Sequence, residues 1–220
     1  MNILEFREVS KFYNQDSLGV CDLSFSVKKG EIVALAGPSG SGKTTALNIA
    51  AGLDDFTQGD VRLFDQSLQN LLPHEVLNLR RNDVGFIFQA YNLFPVLTVL
   101  ENVEYPLALK GVRFQERIIK AKECIREVGL EGLENRLPSE LSGGQQQRVA
   151  VARALVSEPK IIFADEPTAN LDTATAEKLL LLFRELNDKN GTTFIFSSHD
   201  PRVLKLADRV IVLADGRLMN

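Results

Sequence analysis

Five short, almost continuously apolar runs recur along the chain, each bounded by glycine or polar residues. Strands buried on both faces of a parallel sheet have this pattern, because helices cover both faces of such a sheet. Helical stretches lie between the runs, such as "ATAEKLLLLFRELNDKN", which stops before Gly191. The alternation predicts an α/β core with a mostly parallel sheet. The predicted core strands are 31–37, 84–89, 160–166, 192–198 and 209–215.

Three other segments alternate apolar and polar positions: "ILEFREVSKFY", "VCDLSFSVKKGE" and "GDVRLFD". Such alternation is typical of half-buried antiparallel strands, so we expect an N-terminal antiparallel β subdomain. The segment 90–157 is rich in helical patterns and interrupts the strand–helix order. We interpret it as an inserted helical subdomain, which leaves 1–89 and 158–220 for the core and the antiparallel subdomain.

Composition fits a single domain over 1–220. The chain has 220 residues, 45% of them hydrophobic and 25% charged, with a net charge of −4. The acidic balance argues against a nucleic-acid-binding protein. Cys21 and Cys124 fit no metal-binding spacing and indicate reduced thiols in the cytosol. No apolar run approaches the roughly 18 residues of a membrane span, and the charged N-terminus is unlike a signal peptide. We expect a cytoplasmic protein that another protein would anchor to any membrane.

Four of the predicted core strands end in residues that can contact a ligand. They end at Gly37, at Gln89, at Asp165-Glu166, and just before His199. Ligands of open parallel sheets bind beyond the carboxyl ends of the strands. These residues are therefore expected to line one site.

The first strand end opens "GPSGSGKT" (37–44), a phosphate loop of the form G-x-x-x-x-G-K-T. Its glycines let backbone N–H groups point at phosphate oxygens, and the following helix adds its positive N-terminal dipole. Lys43 is expected to hold the outer phosphates, and the Thr44 hydroxyl is expected to ligate Mg²⁺.

Two carboxylates follow the third predicted strand. Asp165 can hold Mg²⁺ directly or through water. Glu166 is the candidate base, since phosphoanhydride hydrolysis needs a group that orients and polarises the attacking water. The alternative is a solvated acidic strand end, which the upstream phosphate loop disfavours.

Position alone does not decide the roles of two further polar residues. Gln89 can bind Mg²⁺ or water, but an ordinary polar strand end explains it better. His199 either caps its strand or hydrogen-bonds the γ-phosphate or the attacking water. The consecutive residues "SHD" around His199 cannot face one another as a catalytic triad requires.

The segment "LSGGQQQR" (141–148) looks like a second phosphate cradle without a lysine. Ser142 and Gln145 have capping-box spacing, which on its own is the favoured explanation. It does not explain Gly143 and Gly144, since each costs about 1 kcal/mol of helix stability against alanine. In a first helical turn, glycines let an anion approach the backbone amides closely.

The combination of "LSGGQ", an apolar strand ending in "DE" and an upstream phosphate loop resembles the signature of ATP-binding cassette (ABC) ATPases, over essentially the whole chain. The resemblance implies a P-loop NTPase cassette fold with ATP and Mg²⁺ as cofactors. It implies a catalytic set of Glu166, His199 and Gln89, and a D-loop at 169–172. Thr44, Gln89 and Asp165 would contact the metal. The implied nucleotide-binding residues are Tyr13, Gly37, Pro38, Ser39, Gly40, Ser41, Gly42, Lys43, Thr44, Thr45, Ser142, Gly143, Gly144 and Gln145.

The resemblance also implies partners. Two copies would form a head-to-tail homodimer, with each ATP between the phosphate loop of one copy and "LSGGQ" of the other. The segments 92–111 and 140–172 look like the lipoprotein-release, macrolide-export and cell-division group (LolD, MacB, FtsE). Ala169 replaces the glycine usual there, which puts only the fine geometry of the D-loop in doubt. Permease subunits would dock in a groove of the helical subdomain, partly formed by 90–103, at the cytoplasmic face of the inner membrane.

Three other functions share part of these features. A soluble cassette of DNA repair or translation typically has a long coiled-coil insertion or a second cassette, and this chain has neither. A nucleoside kinase shares the phosphate loop but has no use for "LSGGQ". A cell-division ATPase that transmits force without transport has the same motifs. We expect the ATPase subunit of a bacterial transporter of the lipoprotein-release or macrolide-export type.

Overall fold

A computed structural model describes residues 1–14 and 17–219 of the chain. Its strands form two sheets. The strands are β1 (Asn2–Asn14), β2 (Ser17–Lys28), β3 (Ile32–Ala36), β4 (Gln58–Leu63), β5 (Gln66–Ser67), β6 (Val84–Ile87), β7 (Ile161–Asp165), β8 (Thr193–Ser197), β9 (Arg209–Ala214) and β10 (Arg217–Leu218).

The α-helices are α1 (Lys43–Ala50), α2 (Pro73–Asp83), α3 (Val99–Leu109), α4 (Phe114–Glu127), α5 (Gly143–Leu155), α6 (Thr173–Asn190) and α7 (Pro201–Leu206). Gly191 ends α6 in a left-handed conformation, as expected from the sequence. The hydrophobic pattern does not predict α2, because most of this helix is polar and Leu79 is its one buried residue. None of the helices in the described ranges is long and apolar enough to cross a membrane.

The core sheet has the order β10-β9-β3-β8-β7-β6. Strands β9, β3, β8, β7 and β6 run parallel, and β10 is an antiparallel edge strand. Every residue of β3, β7 and β8 is buried, which explains their continuous apolar runs. The predicted parallel core is therefore confirmed, with each strand ending slightly earlier than its apolar run.

The second sheet has the order β2-β1-β4-β5 and is antiparallel throughout, as the alternating N-terminal pattern predicts. Its apolar residues share one buried cluster with α1 and one face of the core sheet; Leu4, Val61, Leu47 and Phe163 belong to it. Helix α1 therefore lies between the two sheets, and the loop before α1 is held from both sides.

The other face of the core sheet packs against helices. Phe183 of α6 contacts Phe194 and Phe196 of β8, with ring centroids 5.3 Å apart in both pairs. The same apolar cluster continues into α3, α4 and α5, which also pack on one another. The division into 1–89 with 158–220 and an inserted 90–157 stays a prediction, to which this packing of three helices adds support.

The loop before α3 is held by one buried side chain. Asn102 is fully buried in α3, and its amide accepts a hydrogen bond from the Phe94 backbone N–H (2.8 Å). The same amide donates to the carbonyls of Phe94 (3.1 Å), Leu97 (2.8 Å) and Thr98 (3.0 Å). This anchoring leaves Phe94 and Val96 exposed on an ordered loop.

Candidate functional site

A cavity of about 510 Å³ opens at the carboxyl ends of β3, β6, β7 and β8. The four core strands whose ends the sequence predicts to form one site all end at this cavity. Its lining residues are Tyr13, Leu18, Gly19, Gly37, Pro38, Ser39, Gly40, Gly42, Lys43, Thr44, Thr45, Gln89, Glu166, Ser197 and His199. Of the predicted nucleotide-binding residues in 1–89, all but Ser41 line it.

The backbone conformation of the phosphate loop requires glycine at two positions. Gly37 has φ +148°, and a Cβ atom there would lie 2.1 Å from the Leu213 carbonyl oxygen. Gly42 has φ +96°, and a Cβ atom there would lie 2.6 Å from the Gly19 carbonyl oxygen. Helix α1 begins directly afterwards, and the N–H groups of its first turn have no acceptor within the helix. The loop and the helix start together form an anion-binding cradle.

Lys43 lies over this cradle and is buried. Its Nζ donates hydrogen bonds to the carbonyls of Gly37 and Pro38, both at 2.9 Å. No carboxylate among the described residues pairs with it. The positive charge is therefore held by neutral carbonyls and stays available to an anion.

Thr44 lines the cavity and contacts Asp165. The Thr44 hydroxyl lies 3.1 Å from both carboxylate oxygens of Asp165, which is buried. A hydroxyl and a carboxylate are hard oxygen ligands of the kind that Mg²⁺ takes, and Mg²⁺ completes its shell with waters and substrate phosphates. The two residues therefore fit a magnesium site.

Glu166 and His199 form a direct pair at the cavity. The His199 Nδ1 lies 2.7 Å from the Glu166 Oε1, and the Ser198 hydroxyl donates to the Glu166 Oε2 at 3.0 Å. Glu166 has φ +45°, an uncommon conformation for a residue with a side chain. Such backbone strain is concentrated at functional sites. The carboxylate is thus fixed by two partners, while the imidazole is largely exposed.

Asp200, the residue after His199, points away from this pair. It forms an ion pair with Arg202 at 2.7 Å and accepts a hydrogen bond from the Thr168 hydroxyl at 2.8 Å. The hydrogen bond from Arg202 lowers the pKa of this carboxyl to about 2. Asp200 therefore supports the start of α7 and does not form a triad with its neighbours, as the sequence predicts.

Gln89 lies two residues beyond the end of β6 and lines the cavity. Its carbonyl accepts a weak hydrogen bond from the Asn170 amide at 3.4 Å. Two residues later, the carbonyls of Tyr91 and Asn92 accept hydrogen bonds from Arg153 of α5, at 2.7 and 2.6 Å. The loop after Gln89 is therefore tied to the same helix that begins at the "LSGGQ" segment.

Tyr13 is about half exposed at the cavity mouth. Its hydroxyl bonds Asp54 at 3.0 Å and Thr45 at 3.2 Å, which orients the ring beside the cavity. Leu18 and Gly19 of β2 line the same wall. Sequence reasoning missed these two residues, because their place depends on the pairing of β1 with β2 and no motif marks it.

Ser142 caps α5 through the predicted capping box. Its hydroxyl accepts from the Gln145 N–H at 3.3 Å, and its own N–H donates to the Gln145 side chain at 2.8 Å. None of the residues 142–145 is among the described residues that line the cavity. Within one copy, the structure therefore separates these predicted nucleotide-binding residues from the phosphate loop.

Comparison with known proteins gives a family and close relatives. The ABC transporter family model matches residues 20–169. The lipoprotein-releasing system ATP-binding protein LolD of Francisella tularensis is 40% identical over 220 residues, 98% of this chain and 95% of that protein. The macrolide export ATP-binding/permease protein MacB of Syntrophobacter fumaroxidans is 44% identical, over 98% of this chain but only 31% of that protein.

The structure is also similar to a solved ATP-binding cassette, MJ0796 of Methanocaldococcus jannaschii, in a dimeric post-hydrolysis state bound to ADP and Pi. The TM-score is 0.94 and the identity 41%, over 99% of this chain and 97% of that chain. The chain belongs to the ABC transporter family. It is an ATP-binding cassette with ATPase activity, and the cassette fold that the sequence predicts is confirmed.

Two alanine substitutions test the geometry of the cassette's phosphate loop. Gly40 and Gly42 both have positive φ, but a Cβ atom at Gly40 meets open space. Gly40→Ala should therefore lower the free energy of unfolding by about 1–2 kcal/mol, the cost of the left-handed conformation. Gly42→Ala should cost about 1–3 kcal/mol more, because its Cβ overlaps the Gly19 backbone. Urea unfolding measures both, and equal losses would contradict the close contact.

Proposed function

We propose that the chain is the ATPase subunit of an ABC transporter complex that powers a membrane permease of the lipoprotein-release or macrolide-export type. The observation that carries the proposal is the single cavity lined by the phosphate loop, Glu166 and His199, with Asp165 directly behind Thr44 of its wall. The names of the relatives LolD and MacB support the type of permease.

In this proposal, the phosphate loop and the residues around Thr44 bind the triphosphate and its metal. The loop amides and Lys43 hold the phosphates, and Thr44, Asp165 and Gln89 hold Mg²⁺. Bound MgATP supplies the phosphoanhydride to be cleaved and a metal charge that offsets the negative charge of the phosphates. The exposed Tyr13 ring at the cavity mouth provides a face on which an adenine can stack.

Glu166 acts as the base that orients and polarises the attacking water. Its carboxylate is held by Ser198 on one oxygen and by His199 on the other, so that it keeps one orientation. His199 then assists at the γ-phosphate side, where its exposed imidazole is within reach of a bound anion. Positioning of this kind accounts for most of the catalysis of phosphoryl transfer.

Each site requires a second copy of the chain. Residues 142–145 lie outside the described lining of the cavity, and Ser142 and Gly143 are exposed at the start of α5. A helix start with exposed glycines is suited to an anion that another molecule presents. In a head-to-tail dimer, this segment of one copy closes over the ATP held by the phosphate loop of the other. The dimeric state of the similar MJ0796 structure supports the arrangement.

Glu166→Gln should trap the closed dimer, because it keeps the shape of the side chain and removes the base. We expect millimolar MgATP to shift the variant from monomer to dimer in size-exclusion chromatography, with ATP turnover reduced about 100-fold or more. Glu177→Gln, the same change at an exposed position of α6, is the matched control and should behave as the unmodified chain. A Glu166→Gln variant that binds ATP but stays monomeric would count against this mechanism.

A second cavity, of about 480 Å³, offers a docking groove for the permease. It is lined by residues of α2, β6, α3 and α5, and Leu77 and Leu109 in its wall are more than half exposed. None of the described residues 90–103 lines it, although the sequence predicts that this segment forms part of the groove. The lining residues are Ala51, Leu53, Leu77, Arg80, Arg81, Val84, Gly85, Phe86, Phe88, Pro106, Leu109, Arg153, Ala154 and Ser157.

The charged residues of this groove are all basic. The Arg80 guanidinium has no hydrogen-bond or ion-pair partner among the described residues, and burial lowers its pKa. Because the remaining wall is largely apolar, the groove suits a permease segment that carries apolar side chains and a carboxylate. Docking there would place the ATPase at the cytoplasmic face of the membrane.

Arg80→Glu tests this docking site. The reversed charge should repel a permease carboxylate, so the share of the chain that sediments with membranes of its native host should fall several-fold. ATP turnover of the purified cassette should not change, since Arg80 is not part of the nucleotide cavity. Arg126→Glu, at an exposed position of α4, makes the same charge change as a control. Equal sedimentation of Arg80→Glu and the unmodified chain would exclude this use of the groove.

A further inference from the structure

Ser197 is the last residue of β8, and its hydroxyl is buried. The residue has no exposed surface, and its Oγ lacks a hydrogen-bond partner among the described residues. Buried polar atoms in native proteins are nearly always paired, so an unpaired one calls for a ligand or water. Ser197 also lines the nucleotide cavity.

The direction of the side chain follows from the alternation along β8. Phe194 and Phe196 pack in the apolar cluster on the α6 side of the sheet, whereas Ile195 packs in the cluster on the α1 side. Since successive side chains of a strand point to opposite faces, Ser197 faces the α1 side as Ile195 does. This is the side on which the phosphate loop and Thr44 lie.

Ser197 is the register partner of Asp165 on the neighbouring parallel strand. Residues paired in this way lie side by side and face the same way. Asp165 in turn contacts the hydroxyl of Thr44. The unpaired hydroxyl therefore lies next to the residues that fit a magnesium site.

Other buried unpaired side-chain atoms do not share this position. The described chain has four more, on Ser41, Gln147, Arg148 and Ser157, and none of these residues lines the nucleotide cavity. Ser157 lines the docking groove instead. Among these five residues, Ser197 alone lines the nucleotide cavity.

We propose that Ser197 positions the magnesium of the nucleotide site, by accepting a hydrogen bond from a water bound to the metal beside Asp165. Mg²⁺ keeps several of its waters when proteins bind it, and those waters need acceptors in the wall of the site. The phosphates, Thr44, Asp165 and Gln89 would hold the metal, and Ser197 would hold part of its water shell. This role rests on the proposed function, because it assumes that the cavity binds MgATP.

Ser197→Ala tests the role without relying on turnover. We would titrate the purified full chain with the non-hydrolysable analogue AMP-PNP by calorimetry, once in excess Mg²⁺ and once in EDTA. In Mg²⁺ the affinity should fall about tenfold, the usual size of one lost hydrogen bond in a charged site. In EDTA the affinity should match that of the unmodified chain, which also shows that the variant is folded. The Mg²⁺ concentration that gives half of the maximal gain in AMP-PNP affinity should rise by a similar factor.

Ser157→Ala removes an equally unpaired buried hydroxyl outside the nucleotide cavity and should leave both affinities unchanged. Two results for Ser197→Ala would overturn the proposal: an unchanged affinity in Mg²⁺, or equal losses in Mg²⁺ and EDTA. The second result would assign the hydroxyl to the nucleotide or to the fold. An unmodified chain that binds no analogue in Mg²⁺ would instead overturn the proposed function, and the role of Ser197 with it.

Discussion

The parallel arrangement of the core strands is the constraint on which the site depends. Parallel strands bring all their carboxyl ends to one edge of the sheet, so residues far apart in sequence meet there. In this chain the phosphate loop follows β3, Asp165 and Glu166 follow β7, and His199 follows β8. The loop can approach this edge only because Gly37 and Gly42 leave room for the backbone of the neighbouring segments. The parallel strand arrangement thus brings together Lys43, the Thr44–Asp165 pair and the Glu166–His199 pair.

The same edge connects the nucleotide cavity to the proposed docking groove. Arg153 of α5 lines the groove, and its guanidinium also holds the backbone carbonyls of Tyr91 and Asn92, just beyond Gln89. Both carbonyl residues have positive φ, so the loop is held in a conformation that needs such support. A displacement of the loop at Gln89 would therefore be felt at α5 and in the groove wall. This contact gives a physical route by which ATP binding could act on a permease.

The sequence predicts the core strands and the residues at their ends well, because buried parallel strands are continuous apolar runs and the motifs lie where the runs stop. Helix α2 could not be predicted in this way, since a mostly polar surface helix leaves little hydrophobic pattern. Leu18, Gly19 and Ser197 reach the cavity through strand pairing, which no local motif records. The sequence predicts part of a docking surface at 90–103, where Phe94 and Val96 are exposed, and this stays a prediction. The cavity beside α2 could not be predicted from the sequence, because it forms where α2 faces residues of α3 and α5 that lie far along the chain.

In the proposed dimer, "LSGGQ" of one copy completes the ATP site of the other. The most direct test is Ser142→Arg, which places a large cation at the exposed start of α5. We expect the monomer of this variant to bind ATP as tightly as the unmodified chain, while ATP-driven dimerisation and turnover are lost. Ser139→Arg, at an exposed position three residues earlier, controls for the added charge. Loss of ATP binding by the monomer, or normal turnover by the variant, would contradict the claim.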